Sequence, residues 1–567
     1  MTAVEPRDLT QGTILFTSPL VQTDALLENS VPLPAILPRE HGSILCQPEW
    51  PRICQRLRSN SARQSAASID IQGMPLQRLR EWSRFVLLDQ AVRYTSSLLN
   101  ENVRCGSADV LVVTGHQPDF FHAGVWAKNF AASGLARGFQ GSSLNLIIDN
   151  DMLVSTRLRV PVGPQSAPQI QQIPFDTDRP AEPWEESKIL NRPLFQEFGS
   201  RVAGRMRENW SVNPLLEQGW SAAVQQASVS HRLCDVLAAV RVAIERQHDL
   251  TNLELPMSRL CETAPFRWFV AHLMSNLTRF HGLYNATLHH YRHLHGLRNG
   301  RHPVPDLEIR EDWYEIPFWI WRSGDLQRAR PFMRRVGSTL ELRCHQEIIA
   351  RWTQTATGSA EATLEALEEI SRRGIRFRTR ALTTTLFSRL CLADVFIHGI
   401  GGAKYDSMTD WLYEQFFDVA APPFATVSAT FHLPLGVSPV EENSDEKQLR
   451  HQLRDIRYNP DRHQTSTLKA SEADLVSEKQ QLIASLGRRR PNSTETRRIE
   501  QINGMLAAST AELENHLKTM WKAKQLRRAA DSIRRDREFG WCLYSPNDLI
   551  PTLQSAFAPI AEEVHAG

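Results

Sequence analysis

Val112–Val113–Thr114–Gly115–His116–Gln117–Pro118–Asp119–Phe120–Phe121–His122–Ala123–Gly124–Val125–Trp126–Ala127–Lys128 joins an apolar run beginning at Val110 to a helical pattern that reaches Ala136. A buried strand that opens through a polar loop into a helix delivers its loop side chains to the C-terminal edge of a parallel sheet. The N–H groups at the helix start can also hold an anion there. Two histidines, Gln117, Asp119 and Lys128 exceed what a turn requires, so the active site is expected in this loop. His116 or His122 would serve as general base or charge stabiliser, with Gln117 in the same reacting set. Lys128, a turn into the helix, would neutralise a phosphate or carboxylate, and Thr114, Gly115 and Asp119 would contact substrate.

Two further stretches share this strand-tip pattern. Leu144–Asn145–Leu146–Ile147–Ile148–Asp149–Asn150–Asp151 is a short apolar run ending in two carboxylates. Asp149 is expected in the reacting set and Asp151 among the substrate contacts, although a turn or helix cap would use the same residues. His398–Gly399–Ile400–Gly401–Gly402–Ala403–Lys404–Tyr405–Asp406 places glycines between a buried strand, 395–397, and a helix over 405–417. Glycines there let backbone N–H groups approach a ligand closely, with His398, Gly401, Gly402, Lys404, Tyr405 and Asp406 as candidate contacts. Arg376, Arg378 and Arg380 alternate with Ile375, Phe377 and Thr379. In a strand over 375–382 that period of two sets three guanidiniums on one face, suited to a carboxylate- or phosphate-rich ligand.

Other signals are weaker. His289, His290, His293 and His295 include an i, i+4 pair but lack the H-E-x-x-H pattern, and a surface cluster is the better reading. No P-loop sequence occurs, and no metal site is expected. The eight cysteines are dispersed without a CxxC, which fits reduced core thiols in a cytoplasmic protein rather than a disulfide framework. A formal net charge of +2 gives no reason to expect nucleic acid as a partner. No apolar run approaches the ~20 residues of a membrane span, and Met1 to Arg7 has no secretory pattern.

A chain of 567 residues needs more than one core. The pattern divides into a helical entry segment (1–105), the first half of a Rossmann-like α/β core (106–200), a helical insertion (201–300), the second half of the core (301–437), a charged hairpin (438–535) and a return segment (536–567). In the entry segment Leu79, Trp82, Phe85, Val86 and Ala91 recur at helical spacing. Strands are expected at 157–162, 170–175, 316–321, 339–342 and 425–429, and helix over most of 214–295. In the hairpin Ile499, Ile502, Leu506, Ser509, Leu513, His516, Met520 and Ala523 keep a 3/4 spacing, and Leu468, Leu475, Leu482 and Leu486 do so on the preceding arm. Gly487–Arg488–Arg489–Arg490–Pro491 breaks the arms, and Asn492 with Glu495 can cap the second. The expectation is an antiparallel coiled coil whose imperfect seam packs on the body or on a second subunit, the latter giving a homodimer.

The Thr-Gly-x-Gln loop with its later Lys, the strand ending in acidic residues and the late Gly-Gly turn with a following Tyr together resemble the bacillithiol-synthesis cysteine-adding enzymes (BshC). The matched stretches are 114–128, 146–151 and about 378–417, with the hairpin matching by architecture. The resemblance implies a Rossmann-like core, helical connections and a C-terminal coiled coil. It also implies a ligase that joins cysteine to the amine of glucosaminyl-malate, a small anionic substrate, with use of ATP or another nucleotide left open. The family's Gly-Gln-Gln stands here as Gly115–His116–Gln117, and its Gly-Gly-Pro-Gly-Glu as Gly401–Gly402–Ala403–Lys404. The changes fall in the expected pocket, so the fold carries over better than the substrate. The three arginines would suit the malyl carboxylates, an assignment that is not a family motif. His116–Gln117–Pro118 with Lys128 also resembles WbqC-like proteins of surface-polysaccharide clusters, which would imply a sugar-modifying transferase. His122–Ala123–Gly124–Val125 is similar to the His-x-Gly-His signature of class I nucleotidyltransferases, with Val125 in place of the second histidine. A non-catalytic coiled-coil interaction protein on a degenerate enzyme core is the third reading.

Overall fold

Strand periodicity and helix periodicity alternate at both ends of the chain, and those two ends build one sheet. The computed structural model describes residues 37–64, 69–296, 304–354, 360–436, 444–463 and 470–558. Its central elements are β1 (Ser43–Gln47), α1 (Leu76–Leu99), β2 (Ser107–His116), α2 (Ala123–Gly138), β3 (Gly141–Ile147), α3 (Leu233–Gln247), β4 (Leu253–Pro256), β5 (Phe318–Arg322), β6 (Ile375–Thr379), β7 (Val395–His398), α4 (Ile400–Leu412) and β8 (Phe424–Thr430). The six-stranded sheet runs in the order β1-β8-β7-β2-β3-β4. Its neighbours are parallel throughout, except that β1 runs antiparallel to β8.

The register matters for function. Thr114 of β2 lies opposite Ile397 of β7, and His116 opposite Ile147 of β3. All three strand tips therefore share one edge, about 4.8 Å apart from strand to strand. From β2 the chain passes through α2 to β3 on one side. From β7 it passes through α4 to β8 on the other side. The two helices lie on opposite faces. Ala123 and Trp126 of α2 pack with Val112, Val395 and Ile397, whereas Met408 and Leu412 of α4 pack with Leu111, Val113 and Phe396. Adjacent parallel strands whose connections leave in opposite directions define a topological switch point, and the crevice beyond their C-terminal ends is where open α/β sheets bind ligands.

Several expectations change. The stretch read as helical contains β4, whose Leu253–Glu254–Leu255–Pro256 forms the edge of the core sheet, so that region is not simply an insertion. The 309–353 region forms its own five-stranded antiparallel sheet. β6 ends at Thr379, pairs among the described residues only with β5, and turns into a helix at Ala381. In α1 the buried stripe is Leu79, Leu87, Leu88, Ala91 and Tyr94, while Phe85 faces solvent. The eight cysteines are free thiols, five of them buried. No described helix is long and apolar enough to cross a membrane. The readings over Met1 to Arg7 and at Leu468 lie outside the described residues.

The charged region folds as α5 (Ser444–Tyr458), α6 (Ala470–Leu486), α7 (Ser493–Leu506) and α8 (Ala511–Arg534). Asn492 and Glu495 form the expected capping box at the start of α7. The second arm is not one continuous helix: a 3₁₀ turn at Ala507–Thr510 separates α7 from α8. Three residues per turn instead of 3.6 rotate the following stripe. Ile502 and Leu506 are buried as read, but beyond the turn the apolar side is Leu513, Leu517 and Trp521, packed on Leu449 and Ile456 of α5. His516, Met520 and Ala523 are exposed. Leu517→Ala is therefore expected to destabilise the hairpin by about 2–3 kcal/mol. Met520→Ala should change it by less than about 0.5 kcal/mol. Urea unfolding followed at Trp521 distinguishes them, and equal effects would contradict this phase.

Candidate active site

α2 owes its place to being apolar on nearly every side: Trp126, Phe130, Ala131, Ala132 and Leu135 are buried. Such a helix lies across the sheet, and its polar residues must find partners there. Trp126 Nε1 and Asn129 Nδ2 both donate to Glu245 Oε1, at 2.8 and 2.7 Å. Glu245 in turn meets Arg241 at 3.0 Å, and Arg241 meets Glu254 at 2.6 Å. These groups are fully paired and hold α2, α3 and β4 together.

Lys128 is the exception. Only 3 % exposed, its Nζ donates to the Gly115 carbonyl at 2.6 Å and has no carboxylate partner among the described residues. Its aliphatic stem runs beside Gly399, so the amine lies at the switch point under the tips of β2 and β7. Burial, and then the positive Arg241, push the Lys128 amine down to about 7. Burial, and then Lys128, hold His116 well below the usual histidine range, so it is neutral at neutral pH. Its Nδ1 is shielded from solvent and makes no hydrogen bond, and its ring stands edge-on to Phe121 at 4.7 Å. A neutral imidazole beside an amine that titrates near neutrality is an arrangement that can accept and return a proton.

The N-terminus of α4 lies on the same rim. Gly399 is its N-cap and provides no side-chain cap, and Gly401 and Gly402 are exposed in the first turn. A Cβ on Gly402 would stand 2.8 Å from His398 Nδ1, so only glycine allows this approach. His398 Nε2 is 2.7 Å from Asp406 Oδ2, which also accepts from buried Arg389 at 2.7 Å. Burial alone would raise the Asp406 pKa, but Arg389 and His398 outweigh it and hold the carboxyl at about 2. Asp406 thus anchors α4 rather than facing a ligand. Lys404 is exposed and Tyr405 half-buried one turn further on.

Other expected residues are placed differently. Thr114 Oγ1 donates to the Ile397 carbonyl at 2.9 Å, tying β2 to β7. Gln117 Nε2 donates to Asp151 Oδ2 at 2.9 Å, and Arg328 meets the other oxygen at 3.2 Å, so these two strand-tip loops do join. Asp119 is exposed and caps its own turn through Phe120 N–H. His122 is the N-cap of α2, its Nδ1 accepting from Gly124 N–H at 3.1 Å. Asp149 is fully buried and fully used, taking Ser258 N–H at 2.8 Å, the Ser258 hydroxyl and Arg232 at 3.1 Å. It positions the loop after β4 and offers no free oxygen.

The three arginines require correction. Arg376 meets Glu186 at 3.2 Å, Arg378 meets Glu185 at 2.9 Å and Glu262 at 2.8 Å, and Arg380 meets Glu315 at 2.7 Å. The chain's own carboxylates, distant in sequence, occupy the guanidiniums expected for a ligand. Sequence reading also missed Glu185. Burial raises its carboxyl to about 7 despite Arg378, and its Oε1 is shielded, makes no hydrogen bond and lies 3.9 Å from Arg376 Nε. Arg537 was missed as well. Neither carries a local motif.

His289 pairs with Asp306, and no group of histidines, cysteines and carboxylates among the described residues could hold a metal. A cavity of about 460 Å³ opens beyond β8, lined by His41, His432, Leu433, Pro434, Arg534 and Arg535. It contains none of the strand-tip groups. The amine without a carboxylate among the described residues, the imidazole nitrogen without a hydrogen bond and the helix start without a side-chain cap all lie instead at the switch point. No family model matches the chain, and no curated protein matches it.

Proposed function

We propose that the protein is an enzyme that binds a small anionic substrate in the switch-point crevice and forms a carbon–nitrogen bond there, as in the BshC-like joining of cysteine to the amine of glucosaminyl-malate. One observation carries the anionic half of this reading: Lys128 is buried beneath the crevice without a carboxylate, beside the uncapped N-terminus of α4. A cation so placed costs folding stability and gains a partner only when an anion enters. The reaction class rests on the resemblance of the three strand-tip stretches.

Amide formation from a carboxylate and an amine must remove an oxygen as a leaving group, so an activating co-reactant such as ATP is required. Lys128 and the α4 N–H groups would hold the anionic group, and neutral His116 would accept the proton released by the attacking amine. A malyl carboxylate would lie over Lys128 and the helix start rather than on Arg376, Arg378 and Arg380. Incubation of the purified chain with glucosaminyl-malate, cysteine and ATP is expected to yield the cysteinyl amide by mass spectrometry, and the arm without ATP is expected to yield none. Absence of product in both arms removes this reaction.

A further inference from the structure

The return segment brings a second buried cation to the other helix start on this rim. Gly540 bridges to His122, and Trp541 N–H donates to the Phe121 carbonyl at 2.8 Å, fixing the segment against the loop. Arg537 thereby lies on the first turn of α2, only 8 % exposed. A Cβ at Gly124 would stand 2.5 Å from its Nη2, which donates to Ser428 Oγ and the Ala429 carbonyl, each at 3.0 Å. Its Nε and Nη1 are shielded from solvent and make no hydrogen bond. A guanidinium at the positive end of a helix, next to a histidine, opposes the helix dipole.

Among the described residues the only carboxylate paired with it is Glu538, 3.7 Å from Arg537 Nε and 3.8 Å from His122 Nε2, both beyond hydrogen-bond reach. The Glu538 side chain is 56 % exposed. Because His122 Nδ1 accepts from Gly124 N–H, the ring proton of neutral His122 is on Nε2 and points toward that carboxylate. Burial, and then Arg537, push His122 down to about 4, so the ring is a neutral donor at physiological pH.

We infer that Arg537 and His122 form a second oxyanion position at the N-terminus of α2, covered by the Glu538 carboxylate, which an entering carboxylate or phosphate displaces. This rests on the crevice being an anion site and assigns the substrate two anionic groups, one over Lys128 and one over Arg537. It also gives the hairpin a role, because α8 leads directly into the segment that carries both the cation and its cover.

Calorimetric titration of the full chain with malonate and, separately, with inorganic phosphate at low salt tests the inference. Removing the competing charge in Glu538→Gln should tighten binding about fivefold. Arg537→Gln should weaken binding about tenfold or more. The stronger of the two probes identifies the oxyanion. Glu538 is exposed, so its variant is safe for folding and decides the question even if Arg537→Gln unfolds. Unchanged or weaker binding by Glu538→Gln overturns the inference. If Lys128→Met abolishes binding while Glu538→Gln has no effect, the crevice reading stands and this one falls. If Glu538→Gln tightens binding while Lys128→Met leaves it unchanged, the Arg537 position stands and the crevice reading falls.

Discussion

Lys128→Met is expected to make the protein more stable and inactive. The Lys128 amine titrates near 7 in the folded chain, against 10.5 for an unperturbed lysine. Between those values the unfolded state binds more protons, so wild-type stability rises as pH climbs from about 7 to about 10.5. Below about 7 the folded state carries the whole penalty of a charged, buried amine. That interval sets a ceiling of about 5 kcal/mol. Loss of the bond to the Gly115 carbonyl offsets roughly 1 kcal/mol of any gain. A gain of roughly 2–4 kcal/mol at pH 6 is expected from urea unfolding, and the alkaline rise in stability should flatten. Turnover should fall about 10²–10³-fold once the anionic group that positions the substrate loses its cation. A variant less stable than wild type at pH 6 would mean that the amine is already compensated.

Arg378→Met is expected to act through folding instead. Arg378 is 3 % exposed and holds Glu185 and Glu262. Breaking a buried pair by removing one partner costs about 3–5 kcal/mol. Glu185 limits the loss because its carboxyl already titrates near 7 and would rise further without the guanidinium. Since the folded pKa lies above the unfolded one, this group's contribution is fully present at low pH and is lost as pH rises through the folded value. The variant should therefore be least stable at alkaline pH, with substrate KM unchanged in the protein that remains folded. A raised KM at unaltered stability would restore these arginines to substrate binding.

What the sequence disclosed follows the range of the interactions concerned. The β2–loop–α2 unit and the glycine turn before α4 are contiguous, and their period and turn chemistry are legible in order. The Asn492–Glu495 capping box is likewise local. β4 escaped notice because Leu253–Glu254–Leu255–Pro256 has no room for a periodic signal. β1 belongs to the sheet only through pairing with β8, nearly four hundred residues later. The arginine alternation was visible, but the acids that occupy it come from 185–186, 262 and 315. Arg537 and Glu185 acquire their character from burial against distant strands, which a single sequence does not encode locally. The hairpin seam was read through a break whose 3₁₀ turn shifts its phase.

The most direct test is a ¹³Cε titration of lysine-labelled protein, with Lys128→Met assigning the resonance, in the absence and presence of inorganic phosphate. A midpoint near 7 that moves upward when phosphate is added is the expected result, because an anion over the amine favours its charged form. A midpoint near 10.5, or one near 7 that phosphate does not shift, would contradict an anion site built on Lys128.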